Sequence, residues 1–145
     1  MGPQVFLIAA AMAAAGAMAQ AKASSNASKF NARVADNNAV IAEQNAAADE
    51  SRQRRAADRQ LAQTRALVGA AGVTLEGSPL EVLEDQAMEA ELDALNIRYG
   101  GALQASNYRS QSQLGRSAAR SAMTQGYISA GSSLLKGATQ YVDAS

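Results

Sequence analysis

Large apolar residues recur along this chain at three- and four-residue spacing, the period of helices that pack one face on a partner. Leu80, Leu83, Ala87, Ala90, Ala94 and Ile97 follow that spacing and predict a coiled-coil-like seam. Phe30, Val34 and Ile41 begin a similar seam upstream. Met88, Leu92, Leu95 and Tyr99 form a second stripe, displaced around the same helix. One antiparallel neighbour cannot cover both stripes, so a second contact surface is expected.

Breakers divide this helical pattern in two. From Ala17 to Val68 there are 52 residues with neither Gly nor Pro, and one continuous helix can fill them. A helix from about Pro3 to Val68 would be roughly 100 Å long at 1.5 Å per residue, too long for a compact domain of this size. Gly69, Gly72 and Gly77 allow positive φ around the β-branched pair Val73-Thr74 and predict the turn. A strong helix start follows. The Ser78 hydroxyl can cap, Pro79 fits a position that needs no N–H donor, and Glu81 completes a capping box.

The predicted fold is all-α: a long antiparallel helical hairpin with its turn at about 69–78 and a kink near Gly100-Gly101, completed by oligomerisation. Its parts are an uncharged Ala-rich segment at 1–21, a first arm at 22–68 and the turn at 69–78. A second arm at 79–137 and a tail at 138–145 complete it, the tail being the part expected to fray. Beyond Gly101, Gly115, Ala118, Ala122, Gly126, Ala130, Ser133 and Gly137 place small residues on one face, which lets another helix approach closely.

Charge tests the hairpin independently. Residues 1–70 carry eight basic and five acidic side chains, 71–100 one and seven, and 101–145 four and one. With equal rise on both arms, residues facing each other should have numbers adding to about 147. This alignment places Arg65 near Glu81, Arg59 near Glu89, Arg55 near Glu91 and Arg54 near Asp93. Such exposed pairs are each worth at most about 1 kcal/mol, so their expected role is register.

Composition weakens the case for a self-sufficient core. Alanine supplies 35 residues, whereas Leu, Ile, Val and Phe together supply 25. Most of the nominally apolar content therefore has little side chain to bury. The balance of 13 basic and 13 acidic residues argues against a general polyanion binder. It also separates the chain from strongly charged disordered sequences, and alanine favours helix.

The absence of Cys and His excludes disulfides, thiolate nucleophiles, imidazole bases and the usual zinc or haem ligands. Glu84, Asp85, Glu89 and Asp93 sit at helical spacing without pocket-forming loops, and read as solvated or paired carboxylates. Tyr99, Tyr108, Tyr127 and Tyr141 read as anchors of helix contacts. The expectation is a non-enzyme without cofactor or metal.

Two features point toward other partners. Arg109, Arg116 and Arg120 share a helical face and are candidates for contact with a DNA backbone, with a plain solvated face as the competing reading. Arg52, Arg54, Arg55 and Arg59 fit pairing within the hairpin better than phosphate binding. The apolar run from Val5 to Ala19, led by Val5, Phe6, Leu7 and Ile8, is a candidate membrane contact. It lacks the basic start of a signal peptide and falls short of the roughly 20 residues a lone span needs.

The block GVTLEGSPLEVL at 72–83, followed by AELDALNIRYGG at 90–101, resembles the small internal virion proteins of tailed bacteriophages, the core or ejection proteins of short-tailed phages. The uncharged Ala/Gly start, the AAADESRQRR helix at 46–55 and the Gly/Ser/Ala-rich end follow the same layout. The resemblance implies a homo-oligomer inside the capsid near the portal or neck, in contact with portal and other internal virion or tail proteins. It implies release with the genome into the host envelope, where the protein helps line a conduit; the arginine row and the apolar start are the candidates for non-specific contact with phage DNA and for contact with the host membrane. The resemblance carries over no catalytic residue. Two rival expectations remain: a neck or tail adaptor that stays on the particle, and a secreted helical coiled-coil protein with its mature start at Gln20.

Overall fold

The computed structural model describes residues 4–72 and 77–143, and among these it contains two α-helices. Helix α1 runs from Gln4–Ala70 and α2 from Ser78–Asp143. They pack against each other as an all-α helical hairpin. Helix α1 fills the stretch without breakers and extends past Gly16, where a small residue in an Ala-rich context costs only about 1 kcal/mol. Helix α2 continues beyond Gly137 into the predicted tail.

Glycine closes both sides of the turn. Gly72 has φ 68° and Gly77 has φ 74°, conformations that other residues rarely adopt. The Gly72 N–H donates to the Gly69 carbonyl at 3.2 Å and the Ala71 N–H to the Leu67 carbonyl at 3.0 Å, so the last carbonyls of α1 are capped. Gly69 belongs to the last turn of α1 rather than to the loop. The Gly77 carbonyl accepts from the N–H groups of Leu80 and Glu81. The helix start therefore falls one residue earlier than expected, with Gly77 as the capping position and Ser78 as the first helical residue. Val73-Thr74 and the ring of Pro79 lie outside the described residues.

The chain divides into two compact units, each built from a stretch of both helices. Unit 2, residues 37–108, contains the turn. Its seam is made of Ala39, Ala42 and Ala46 on α1 and of Ala94, Gly101 and Ala105 on α2, with the Tyr108 ring packed on the edge. Closer to the turn, Leu83 is 4% exposed and is the bulkiest buried apolar side chain among the described residues. Unit 1, residues 1–36 and 109–145, repeats the theme. Ala10, Ala14, Ala21, Ser25 and Ala32 face Ser112, Ala119, Gly126 and Gly137.

This seam departs from the large-residue seam that spacing suggested. Leu83 and Ala94 are buried as expected and Ala90 and Ile97 half-buried, but Leu80 is 44% exposed and Ala87 is exposed. On α1, Phe30, Val34 and Ile41 are 66%, 40% and 50% exposed, so they lie outside the seam. The reason is steric. Wherever two backbones approach closely, only Gly, Ala or Ser fits between them, and bulky side chains are forced to the outer faces.

Glycine placement shows how close the approach is. A Cβ added at Gly101, Gly126 or Gly137 would collide with the Cβ of Ala46, Ala21 or Ala10, respectively. At Gly115 it would stand 3.1 Å from both the Ala32 Cβ and the Ser28 carbonyl oxygen. These four pairs all fall on the alignment expected from equal rise. Helix α2 passes unbroken through Gly100-Gly101, where the second glycine serves packing. The small-residue row at Gly115, Gly126 and Gly137 meets α1 of the same chain. Half-buried Ala122, Ala130 and Ser133 support it, while Ala118 is exposed.

Gly100 and Gly101 therefore respond oppositely to the same change. Nothing lies within 4 Å of a Cβ at Gly100, so Gly100→Ala gains helix propensity and stabilises by about 0.5–1 kcal/mol. Gly101→Ala gains the same propensity but overpacks the seam, for a net loss of about 1–2 kcal/mol. Thermal unfolding followed by far-UV circular dichroism should move the two midpoints in opposite directions; a rise for both would contradict the close seam.

Candidate functional surfaces

Two charged clusters decorate the hairpin, one in each unit. In unit 2, the Arg54 guanidinium donates to both carboxylate oxygens of Glu91, at 2.8 Å to Oε1 and more closely to Oε2. It also donates to Glu50 one turn earlier on α1, at 3.1 and 3.2 Å. A planar fork can hold two carboxylates in this way, whereas an ammonium could not. Arg54, with Glu91 as its first influence and Glu50 as its second, is held more firmly protonated than usual. The same contact keeps the Glu91 carboxyl below its ordinary range.

The expected charge pairing changes in detail. Glu91 takes Arg54 rather than Arg55, and Arg54 does not take Asp93. The Arg59 side chain bonds the Arg55 carbonyl of its own helix at 3.1 Å, and Arg52 pairs with Asp49. No ion pair joins Arg65 to Glu81 or Arg59 to Glu89 among the described residues. Long side chains reach along the axis, so register within a residue or two does not decide which carboxylate a guanidinium finds.

In unit 1, Asp36 is the centre of the second cluster. The Ser112 hydroxyl beside it and then the Arg116 guanidinium, at 2.5 Å, hold its carboxyl below the ordinary range, with Arg109 adding a weaker attraction. The three-arginine DNA candidate is altered by this arrangement. Arg116 is engaged by Asp36 and Arg109 has interactions of its own, so the row lacks the acid-free surroundings expected for it. Asp36, Ser112 and Glu50 were not singled out from the residue pattern. Asp36 could have been found by following the alignment across to the arginines of the second arm.

The remaining candidates are apolar surfaces. Val5, Phe6, Leu7 and Ile8 are all at least 36% exposed. By length and composition, α1 qualifies as a candidate membrane span, with mean hydropathy 1.5 in an 18-residue window near its start, a test that core helices and signal sequences also pass. Tyr99 and Tyr127 are more than 60% exposed and Tyr141 is 37% exposed, while Tyr108 packs on the seam of unit 2. Surface grooves follow the seam, and those of unit 2 are lined by Arg54 and by acidic side chains such as Glu50, Asp58 and Glu91 as well as by alanines. One in unit 1 runs between Ala17, Ala21, Ala122 and Gly126 with Gln and Ser as its only polar lining. Among the described residues no group of three acidic side chains gathers as a metal site would require.

Comparison with protein-family models, with curated proteins and with solved structures gave no match. The class established here is thus structural: an all-α helical hairpin.

The lowered carboxyls give a direction for pH dependence. A group whose folded-state pKa is depressed contributes stability above its unfolded pKa and loses it as pH falls through the folded value. Both Asp36 and Glu91 are of this kind, so the hairpin should hold its melting midpoint near neutral pH and lose stability below about pH 4. The combination Asp36→Asn with Glu91→Gln should flatten that acid limb. An unchanged limb in the double variant would remove both clusters from the account.

Proposed function

We propose that this chain is a non-enzymatic structural protein of a bacteriophage particle. In this reading it is an internal core or ejection protein that sits near the portal, leaves with the genome and helps form a conduit across the host envelope. The observation that carries the reading is the inverted distribution of side chains. The hairpin seam takes alanine, glycine and serine, while Phe30, Leu92, Tyr99, Leu114, Ile128 and Leu135 stay exposed. A chain built this way completes its burial against other chains, which suits a component of a multi-copy assembly.

Sequence style supports the phage setting through the blocks at 72–83 and 90–101 and the Ala-rich arms. A thin seam also suits delivery. Each buried alanine methyl contributes only about 0.8 kcal/mol, so a lone hairpin opens at low cost and regains structure by packing on its neighbours. Partners in this reading are further copies of the chain, the portal and other internal virion or tail proteins, with host membrane contact through the Val5 to Ile8 end. Contact with phage DNA would rest on Arg120 more than on Arg116, which Asp36 engages.

Quantifying the protein in full and DNA-emptied particles tests this function. Multiple copies in full particles and their loss on genome release are expected. Retention after release would assign the chain to a neck or tail adaptor instead, and absence from particles would end the virion reading. A secreted coiled-coil protein would show its mature start at Gln20 by intact mass.

A further inference from the structure

The exposed apolar stripes of α1 and α2 carry charged edges of opposite sign. On α2, Met88, Leu92, Leu95 and Tyr99 are 45–65% exposed and fall on one face at four-three-four spacing. At 100° per residue, Glu84 and Asp85 border that face on its two sides, and Glu89 and Asp93 continue round the helix beyond Asp85. These four carboxylates are exposed and form no ion pair among the described residues. On α1, Phe30 and Val34 occupy the face turned away from the seam, and Lys22, Lys29 and Arg33 line one edge of it. Those three cations are likewise exposed and unpaired among the described residues.

The imbalance extends beyond the two stripes. The stretches that make up unit 1 contain seven basic and two acidic side chains, whereas unit 2 contains six and eleven. A neutral chain has thus sorted its charge into two oppositely signed units.

We propose that the acid-edged stripe of α2, Met88 to Tyr99, docks on the basic-edged stripe of α1 around Phe30 and Val34 in a second copy of this chain. The inference rests on the self-assembly part of the proposed function and not on where in a particle the assembly sits. Heptad-spaced apolar residues supply the buried centre and the charges supply a selective rim, the usual division of labour in a helical interface. Tyr99 and Phe30 are the aromatic anchors. Opposite edges also reject the wrong pairings, because the α2 stripe on another α2 stripe would set carboxylates against carboxylates.

A charge swap tests this in the full-length chain by analytical ultracentrifugation. The wild type should self-associate. Lys29→Glu with Arg33→Glu on one face, or Asp85→Lys with Glu89→Lys on the other, should each weaken association by about 10- to 100-fold at low salt. Mixing the two variants pairs reversed faces with each other and should restore association, with both chains in one complex. Unchanged helical circular dichroism in each variant would show that the effect is on assembly. A wild type that stays monomeric at the highest concentration reached overturns the proposal together with the self-assembly reading. A wild type that associates, with variants that associate equally well and gain nothing on mixing, overturns the face assignment alone.

Discussion

The close approach of two helix backbones is the constraint from which the rest of this structure follows. At Gly101, Gly126 and Gly137 the gap between α1 and α2 has no room for even one methyl group opposite an alanine. Packing at that distance brings backbone atoms of one helix into van der Waals contact with the other and substitutes dispersion between main chains for burial of large side chains. The cost is selectivity about what can stand in the seam. Leu83 is the exception near the turn, where α2 begins.

Excluding bulky residues from the seam decides what the surface looks like. Apart from Leu83 and half-buried residues such as Leu61, Ile97 and Tyr108, the large apolar side chains find no interior and appear on outer faces with helical periodicity. A monomer with so many exposed large apolar groups is an unusual endpoint for a soluble fold, because extended apolar patches mark contact surfaces. In small folds the remedy is often disulfides or metal, and this chain has neither Cys nor His to supply them. In the proposed reading assembly supplies the missing burial, and the charge sorted between the two units supplies a reason for it to be orderly.

Much of the fold was legible in the residues and the choice of face was not. Helix extent follows from the absence of breakers, and the turn from Gly72 and Gly77, whose positive φ the pattern requires. The facing alignment was legible too, since two straight helices of equal rise joined by a short loop leave little freedom. Phe30, Val34 and Ile41 misled because the period of an apolar stripe identifies a contact face without naming the partner. Alanine rows at 32, 39 and 46 have the same period and lie on the opposite side of α1. Only the paired glycines of the second arm could have distinguished them, because glycine opposite alanine has a purpose in a close seam and none on a solvated face. The Asp36 cluster is spread along the axis, with Arg109 two residues and Arg116 five residues from the level of Asp36, so the alignment points to the arginines without naming which one bonds.

That reach also decides what fixes register. Glu91 lies level with Ala56, half a turn from its partner Arg54, and Asp36 lies level with Gln111, more than a turn from Arg116. Ion pairs this forgiving cannot choose between neighbouring alignments. The glycine seam can, since a shift by one residue drives side chains into the gap. Steric fit nevertheless repeats every heptad: sliding α2 by seven residues would bring Gly101 to Ala39, Gly115 to Ser25 and Gly126 to Ala14, all small enough to fit. The turn removes that degeneracy, because its length is bounded by Gly72 and Gly77 and a heptad slip would have to melt about two turns of helix to supply the extra loop. Register is thus set in two stages, with the seam selecting the phase and the turn selecting the heptad, while the charged clusters reinforce an alignment already chosen.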